Sequence, residues 1–181
     1  MSSPPPIVVA VDSFKGSQPA GDACRAIARG IRRALPAAEI RERPMADGGE
    51  GTLDALLAAS PGSTRQRLSA QGADGRAIDV EVGRLADGAA VIEIAQIVGI
   101  TDTVAMTTAI GARDTRGVGS VLRQLLAEGC RDFSIGLGGS STNDGGAGLL
   151  AALGARLMDA PGHPVAPPPA GLAPLARVEA A

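Results

Sequence analysis

Aromatic side chains are nearly missing from this chain. Its 181 residues hold no tryptophan, no tyrosine and two phenylalanines, Phe14 and Phe133. Single-stranded nucleic acid is gripped on rows of exposed rings, so that class of partner is excluded. Lysine is scarce as well: of 17 basic residues Lys15 is the only lysine, and the rest are arginine. Against 19 acidic residues this leaves a net charge of −2, which gives no bulk attraction to nucleic acid or to an anionic membrane. Histidine occurs once, at His163, and cysteine twice, at Cys24 and Cys130, with no zinc-type spacing. Such cysteine usage fits a reducing, cytoplasmic setting. The opening MSSPPPIVVAVDSF has no basic leader, and its apolar run is far shorter than a signal-peptide core or a membrane span. A soluble, untargeted protein is expected.

What remains is ample for a core, with 45% hydrophobic residues punctuated by 25 glycines and 13 prolines. Ile7 to Val11 is a continuous β-branched run, as in a strand covered on both faces. Ser17 is placed to cap a following helix with Pro19 in its first turn. Ala23, Ile27, Ile31 and Leu35 then form its apolar stripe, and Pro36 stops it. A strand over Ile40 to Met45 leads through ADGGEGT (Ala46 to Thr52) into a second helix carrying Leu53, Leu56 and Leu57. This alternation predicts an α/β protein.

From Leu68 to Ile94 the pattern changes to alternating residues broken by Ala73-Asp74-Gly75 and Ala86-Asp87-Gly88, which predicts an antiparallel meander. The change places a domain boundary near residue 64, with residues 1–64 in a first segment and 65–181 in a second. A helix is expected from about Gly119 to Ala127, then a strand at Phe133 to Leu137 and a helix at Leu149 to Leu153. After Asp159 the Pro- and Ala-rich tail predicts a loop or disordered end rather than a folded element.

Three loops that follow strands carry the polar groups. The longest, GGSSTNDGGAG (Gly138 to Gly148), has five glycines in eleven residues. Gly138, Gly139, Gly145 and Gly146 allow close backbone approach, and Ser140, Ser141, Thr142, Asn143 and Asp144 add polar groups, so an anion cradle at a helix start is expected. Asp144 is also placed like a helix cap, and Glu50 suits a first helical turn. In the loop Asp12 to Gly16, Lys15 offers a compact charge for phosphate. Asp12, Asp47 and Glu50 are carboxylates suited to Mg²⁺ or to accepting a proton. Arg116 precedes a helix and suits a carboxylate or phosphate. His163, in the tail, reads as a surface residue. No P-loop, dinucleotide fingerprint or nucleophile elbow is present. In open α/β sheets, loops at the carboxyl ends of strands converge on ligands, and convergence of these three is expected.

The motifs VAVDSFKGS (Val9 to Ser17), MADGGEGT (Met45 to Thr52) and IGLGGSSTNDGGAG with ALGA (Ile135 to Ala155) resemble the type I bacterial glycerate kinase family. EIAQIVGI (Glu93 to Ile100) and DTRGVG (Asp114 to Gly119) look like its intervening stretch. The resemblance implies a flavodoxin-like parallel-sheet domain, incomplete here, with a second α/β domain inserted that starts with the antiparallel meander. It further implies phosphorylation of D-glycerate by ATP with Mg²⁺. Within that reading Lys15, Asp47 and Glu50 are the catalytic candidates, with Asp47 and Glu50 also candidates for Mg²⁺. Gly138 to Gly146 are assigned to phosphate, and Asp12, Ser13 and Arg116 to substrate. The match covers what is the N-terminal half of family chains, so a fragment is expected. Two other readings stay open: a phosphate- or nucleotide-binding remnant without catalysis, and a phosphatase-like hydrolase with Asp12 as nucleophile. Phe14, where a second acid would stand two residues on, speaks against the latter.

Overall fold

A computed structural model of the chain describes residues 5–165 and 172–180. Strands β1 (Ile7–Val9) and β2 (Ile40–Glu42) pair in parallel, from Ile7↔Ile40 to Val9↔Glu42. The strand expected to reach Met45 is shorter, yet its hydrogen bonding continues: the N–H groups of Arg43 and Met45 donate to the carbonyls of Val9 and Val11. This brings the loops after β1 and β2 out side by side.

Helix α1 (Ala20–Ala34) links the two strands. Ser17 does not cap it, because the Ser17 N–H is held by the Phe14 carbonyl in a closed turn, and extended Pro19 precedes the helix instead. The packed face matches the expected stripe only in part, at the buried Ala23. Ile27 and Leu35 are 39% and 54% exposed, whereas the small residues Ala20, Cys24 and Ala28 are buried. Small side chains four apart let the helix lie close to the strands, and the Cys24 thiol donates to the Val9 carbonyl at 3.5 Å.

The second sheet has four strands in the order β3 (Thr64–Gln71), β4 (Ala77–Arg84), β5 (Ala90–Glu93), β6 (Phe133–Gly136). The first three form the expected meander, and β6 joins β5 in parallel. Gly75 and Gly88 take the left-handed φ that the two tight turns require. On one face Leu68, Val80, Val82 and Ile92 pack on α4 (Arg116–Ala127), which buries Val118, Val121, Leu122 and Leu125. Each such side chain is worth roughly 1.5–3 kcal/mol. That helix starts three residues before the expected Gly119, because Gly117 and Gly119 serve as close-approach positions inside it: a Cβ on Gly117 would sit 1.8 Å from the Gln71 carbonyl oxygen. The other face of the sheet takes α2 (Thr52–Ala59), whose Leu53 and Leu57 fill the space left by Gly83 on β4.

A four-residue helix α3 (Ala95–Val98) follows β5, and α5 (Ala147–Ala152) follows the long glycine loop. The tail departs from expectation. Residues 166–171 lie outside those described, but β8 (Arg177–Glu179) pairs antiparallel with β7 (Arg156–Met158), and Arg156 meets Glu179 at 2.7 Å. Three paired residues leave no periodicity for sequence reading to detect. The observed class is mixed α/β. Among the described residues no helix is long and apolar enough to cross a membrane.

Candidate active site

The two parallel strand pairs deliver their loops to one place. Gly138, just past β6, donates its N–H to the carbonyl of Gly48 at 2.8 Å, tying the glycine loop to the loop after β2. A Cβ on Gly138 would lie 2.7 Å from both Cα and N of Gly49, and one on Gly136 would lie 2.6 Å from the Gly48 oxygen. Glycine at these positions is a requirement of backbone-to-backbone packing between the loops.

A cavity of about 300 Å³ opens at this junction. It is lined by Ser13 and Lys15 from the first loop, Asp47, Gly49 and Glu50 from the second, Gly138 and Gly139 from the third, and Ile100 and Thr101 after α3. The expected convergence of the three loops is therefore present. Lys15, Asp47 and Glu50 are exposed to it. Asp47 Oδ1 accepts the Gly49 N–H at 3.1 Å, and Lys15 makes no ion pair among the described residues. One cationic and two acidic residues thus line the same cavity.

The rest of the glycine loop makes other contacts. Asp144 is only 1% exposed and its carboxylate occupies the start of α5 itself, accepting from the N–H groups of Gly146 at 3.2 Å and Gly148 at 3.0 Å. It also accepts from the Thr115 N–H and hydroxyl. The chain supplies its own anion. Ser141 is buried, donating N–H and Oγ–H to the Val98 carbonyl, while Ser140 and Thr142 hydrogen-bond to each other. Asn143 and Gly145 are exposed and do not line the cavity.

Arg116 is not brought to this cavity. Its guanidinium is held by Asp114 at 2.8 Å, which raises its already high pKa, and it borders a separate groove with Ala151, Arg156 and Met158. Asp12 turns inward on its own loop, accepting the Ser13 N–H at 2.6 Å, and is not part of the cavity lining. His163 sits in a turn with Asp159, whose carboxyl is held below the usual range chiefly by the His163 N–H.

Sequence reasoning missed Glu93. At the end of β5 it is 4% exposed, and its carboxylate reaches across to the start of α2, accepting from Gly51 N–H at 3.3 Å and Leu53 N–H at 3.0 Å. Burial pushes its pKa up, opposed by those two N–H groups and assisted by the charges of Asp54 and Glu50. With Glu50 and Thr101 it borders a further cavity of about 370 Å³. The signal available was a single acid ending an otherwise apolar strand, Ala90 to Glu93.

The model of the glycerate kinase family matches residues 7–181. The chain belongs to the glycerate kinase family. It is 41% identical over 174 residues to a glycerate kinase of Halalkalibacterium halodurans, a match covering 96% of this chain and 46% of that protein. With the glycerate 2-kinase of Escherichia coli K12 it shares 40% identity over 160 residues, 88% of this chain and 42% of the other. A crystal structure named "putative glycerate kinase 2" from Salmonella typhimurium LT2 superposes with a TM-score of 0.80 at 37% identity, over 96% of this chain and 46% of that one. The chain spans less than half the length of these relatives.

Proposed function

We propose that this chain carries the phosphoryl-transfer centre of an ATP-dependent D-glycerate kinase, acting in the cytoplasm. The observation that carries the reading is the single cavity shared by Lys15, Asp47, Glu50 and the Gly138–Gly139 backbone. In this reading β1, α1 and β2 begin a flavodoxin-like sheet, and the meander begins a domain inserted into it. The parallel pairing of β1 with β2, and the exposed Val8 and Met45 beside it, support that assignment.

A hydroxyl oxygen of glycerate attacks the γ-phosphorus in line. The new O–P bond forms as the bond to the β,γ-bridging oxygen breaks and ADP leaves. The hydroxyl proton passes to a carboxylate, for which Asp47 is assigned because its second oxygen carries no hydrogen bond among the described residues. Lys15 and the N–H of Gly139 hold equatorial oxygens as charge builds on them. Catalysis here is mainly positioning, and the closely packed glycine loops supply the rigid frame.

Among the described residues no group of three or more His, Cys, Asp or Glu is arranged as a metal cage. Mg²⁺ does not need one, since it takes one or two carboxylates and completes its shell with water and phosphate oxygens. Glu50, on the wall of the same cavity, fits that donor set and would hold the ion, which would supply charge neutralisation when bound and leave Asp47 to take the proton. Phosphorus NMR on the chain with ATP, Mg²⁺ and D-glycerate tests the reading. Appearance of a phosphomonoester together with ADP supports it, and ADP with inorganic phosphate alone contradicts it.

A further inference from the structure

Beside the small cavity lies a larger cleft of about 680 Å³, within the range of small-molecule sites. The two share Ser13, Lys15 and Glu50. The cleft runs from the turn after β1, past the start of α1, to α2. Its apolar lining is small, in Pro19, Pro44, Ala55 and Ala58, except for one ring, Phe14.

Phe14 is placed at a cost. It is 58% exposed, while the only other aromatic residue, Phe133, packs against the core. Its position is also held firmly. The Phe14 N–H donates to the Gln18 carbonyl at 2.9 Å, the Phe14 carbonyl accepts from Ser17 and Gln18, and Gly16 takes the left-handed φ that closes the turn. An exposed ring, on a turn whose backbone is fixed by hydrogen bonds and in a cleft whose other apolar side chains are small, offers a flat ligand one face to stack on. Lys15, next in sequence, marks where that cleft meets the smaller cavity. The basic Arg25 on the cleft wall is already paired with Asp22.

We propose that Phe14 is the platform for the nucleobase: the purine stacks on its ring in the larger cleft, the phosphate chain runs past Lys15, and the acceptor occupies the smaller cavity. Phe14 is then a specificity-determining residue for the nucleoside, and Lys15 and Glu50 stand at the boundary where transfer occurs. The inference rests on the kinase reading above.

The chain has no tryptophan or tyrosine, so Phe14→Trp installs its sole strong fluorophore on the proposed platform. Titration of this variant with ADP is expected to quench and shift its emission saturably, whereas tripolyphosphate at matched ionic strength leaves it unchanged. By calorimetry Phe14→Ala should weaken ADP binding about tenfold, in line with loss of one base-stacking contact, while Phe14→Tyr stays near the unsubstituted chain. If Phe14→Ala proves unfolded by circular dichroism, the tryptophan titration alone decides. ADP binding with silent Trp emission, or undiminished binding by a folded Phe14→Ala, overturns the platform and leaves the kinase reading standing. Absence of ADP binding to the unsubstituted chain also overturns the platform, and the kinase reading is then judged by the phosphorus NMR product.

Discussion

Asp144 accepts both hydrogen bonds that Thr115 can offer from its start-of-helix position, the backbone N–H at 2.9 Å and the hydroxyl at 2.8 Å. One buried carboxylate thereby joins the start of α4 to the start of α5. The Thr115 hydroxyl oxygen in turn accepts the Leu149 N–H, so the two helices share one network.

Removing that carboxylate should be severe. Asp144→Ala leaves the buried N–H groups of Thr115 and Gly148, and the half-buried one of Gly146, without their acceptor, for an expected loss of about 3 kcal/mol or more. Asp144→Asn keeps the shape but turns a donor toward donors, with a loss of about 1–3 kcal/mol. Urea denaturation of the purified variants measures both, and a loss below 0.5 kcal/mol in each (about the size of a neutral surface change) would show that the network is dispensable.

The glycine loops should resist even a methyl group. Gly138→Ala must separate the loop after β6 from that after β2, where Gly49 backbone atoms lie 2.7 Å from the added carbon. A loss of about 1–3 kcal/mol is expected from such overpacking. Gly145→Ala is the control, since nothing lies within 4 Å of its Cβ and the penalty comes from its φ of +58° alone. Thermal melts should rank Gly138→Ala below Gly145→Ala.

Glu93 should leave a pH signature. Its pKa is raised in the folded state, chiefly by burial. A carboxyl whose folded pKa exceeds its unfolded value favours folding while protonated, and that contribution is lost as pH rises through the folded pKa. Glu93→Gln cannot ionise. The stability of Glu93→Gln relative to the unsubstituted chain should therefore increase as pH rises from the ordinary carboxylate range toward neutrality. A difference that stays flat, or falls, over that interval contradicts the assignment.

The identity of the lone lysine should matter. If Lys15 meets phosphate oxygens as a compact charge, Lys15→Met removes a group that stabilises the transition state, for a loss of about 100-fold in kcat/KM. Lys15→Arg keeps the charge but not its size, and should recover only part of the activity. Equal rates for the arginine variant and the unsubstituted chain would make Lys15 a generic surface cation.

The fold was largely legible where local chemistry decides it. The meander could be read because Gly75 and Gly88 mark its turns and the alternation of Val80 and Val82 marks a face. The convergence of three loops was readable because each follows a strand. Legibility ended where one residue type serves two purposes. The glycines of the long loop read as a phosphate cradle and Asp144 equally as a helix cap, and the bond of Asp144 to Thr115, 29 residues earlier, lay beyond any local pattern. Likewise Glu93 caps α2 from a distance of 40 residues in sequence, beyond any local pattern. On α1 the large residues Ile27 and Leu35 outweighed alanines in the apolar pattern, while close approach to β1 favoured Ala20, Cys24 and Ala28.

The most direct test of the shared cavity is steady-state ADP release from the purified chain with ATP, Mg²⁺ and D-glycerate, beside its Asp47→Asn variant. The account predicts glycerate-dependent turnover that falls by about 100-fold or more when the proton acceptor is neutralised, in a variant that melts like the unsubstituted chain. Turnover unaffected by Asp47→Asn, or no glycerate-dependent turnover from a folded chain, would contradict it.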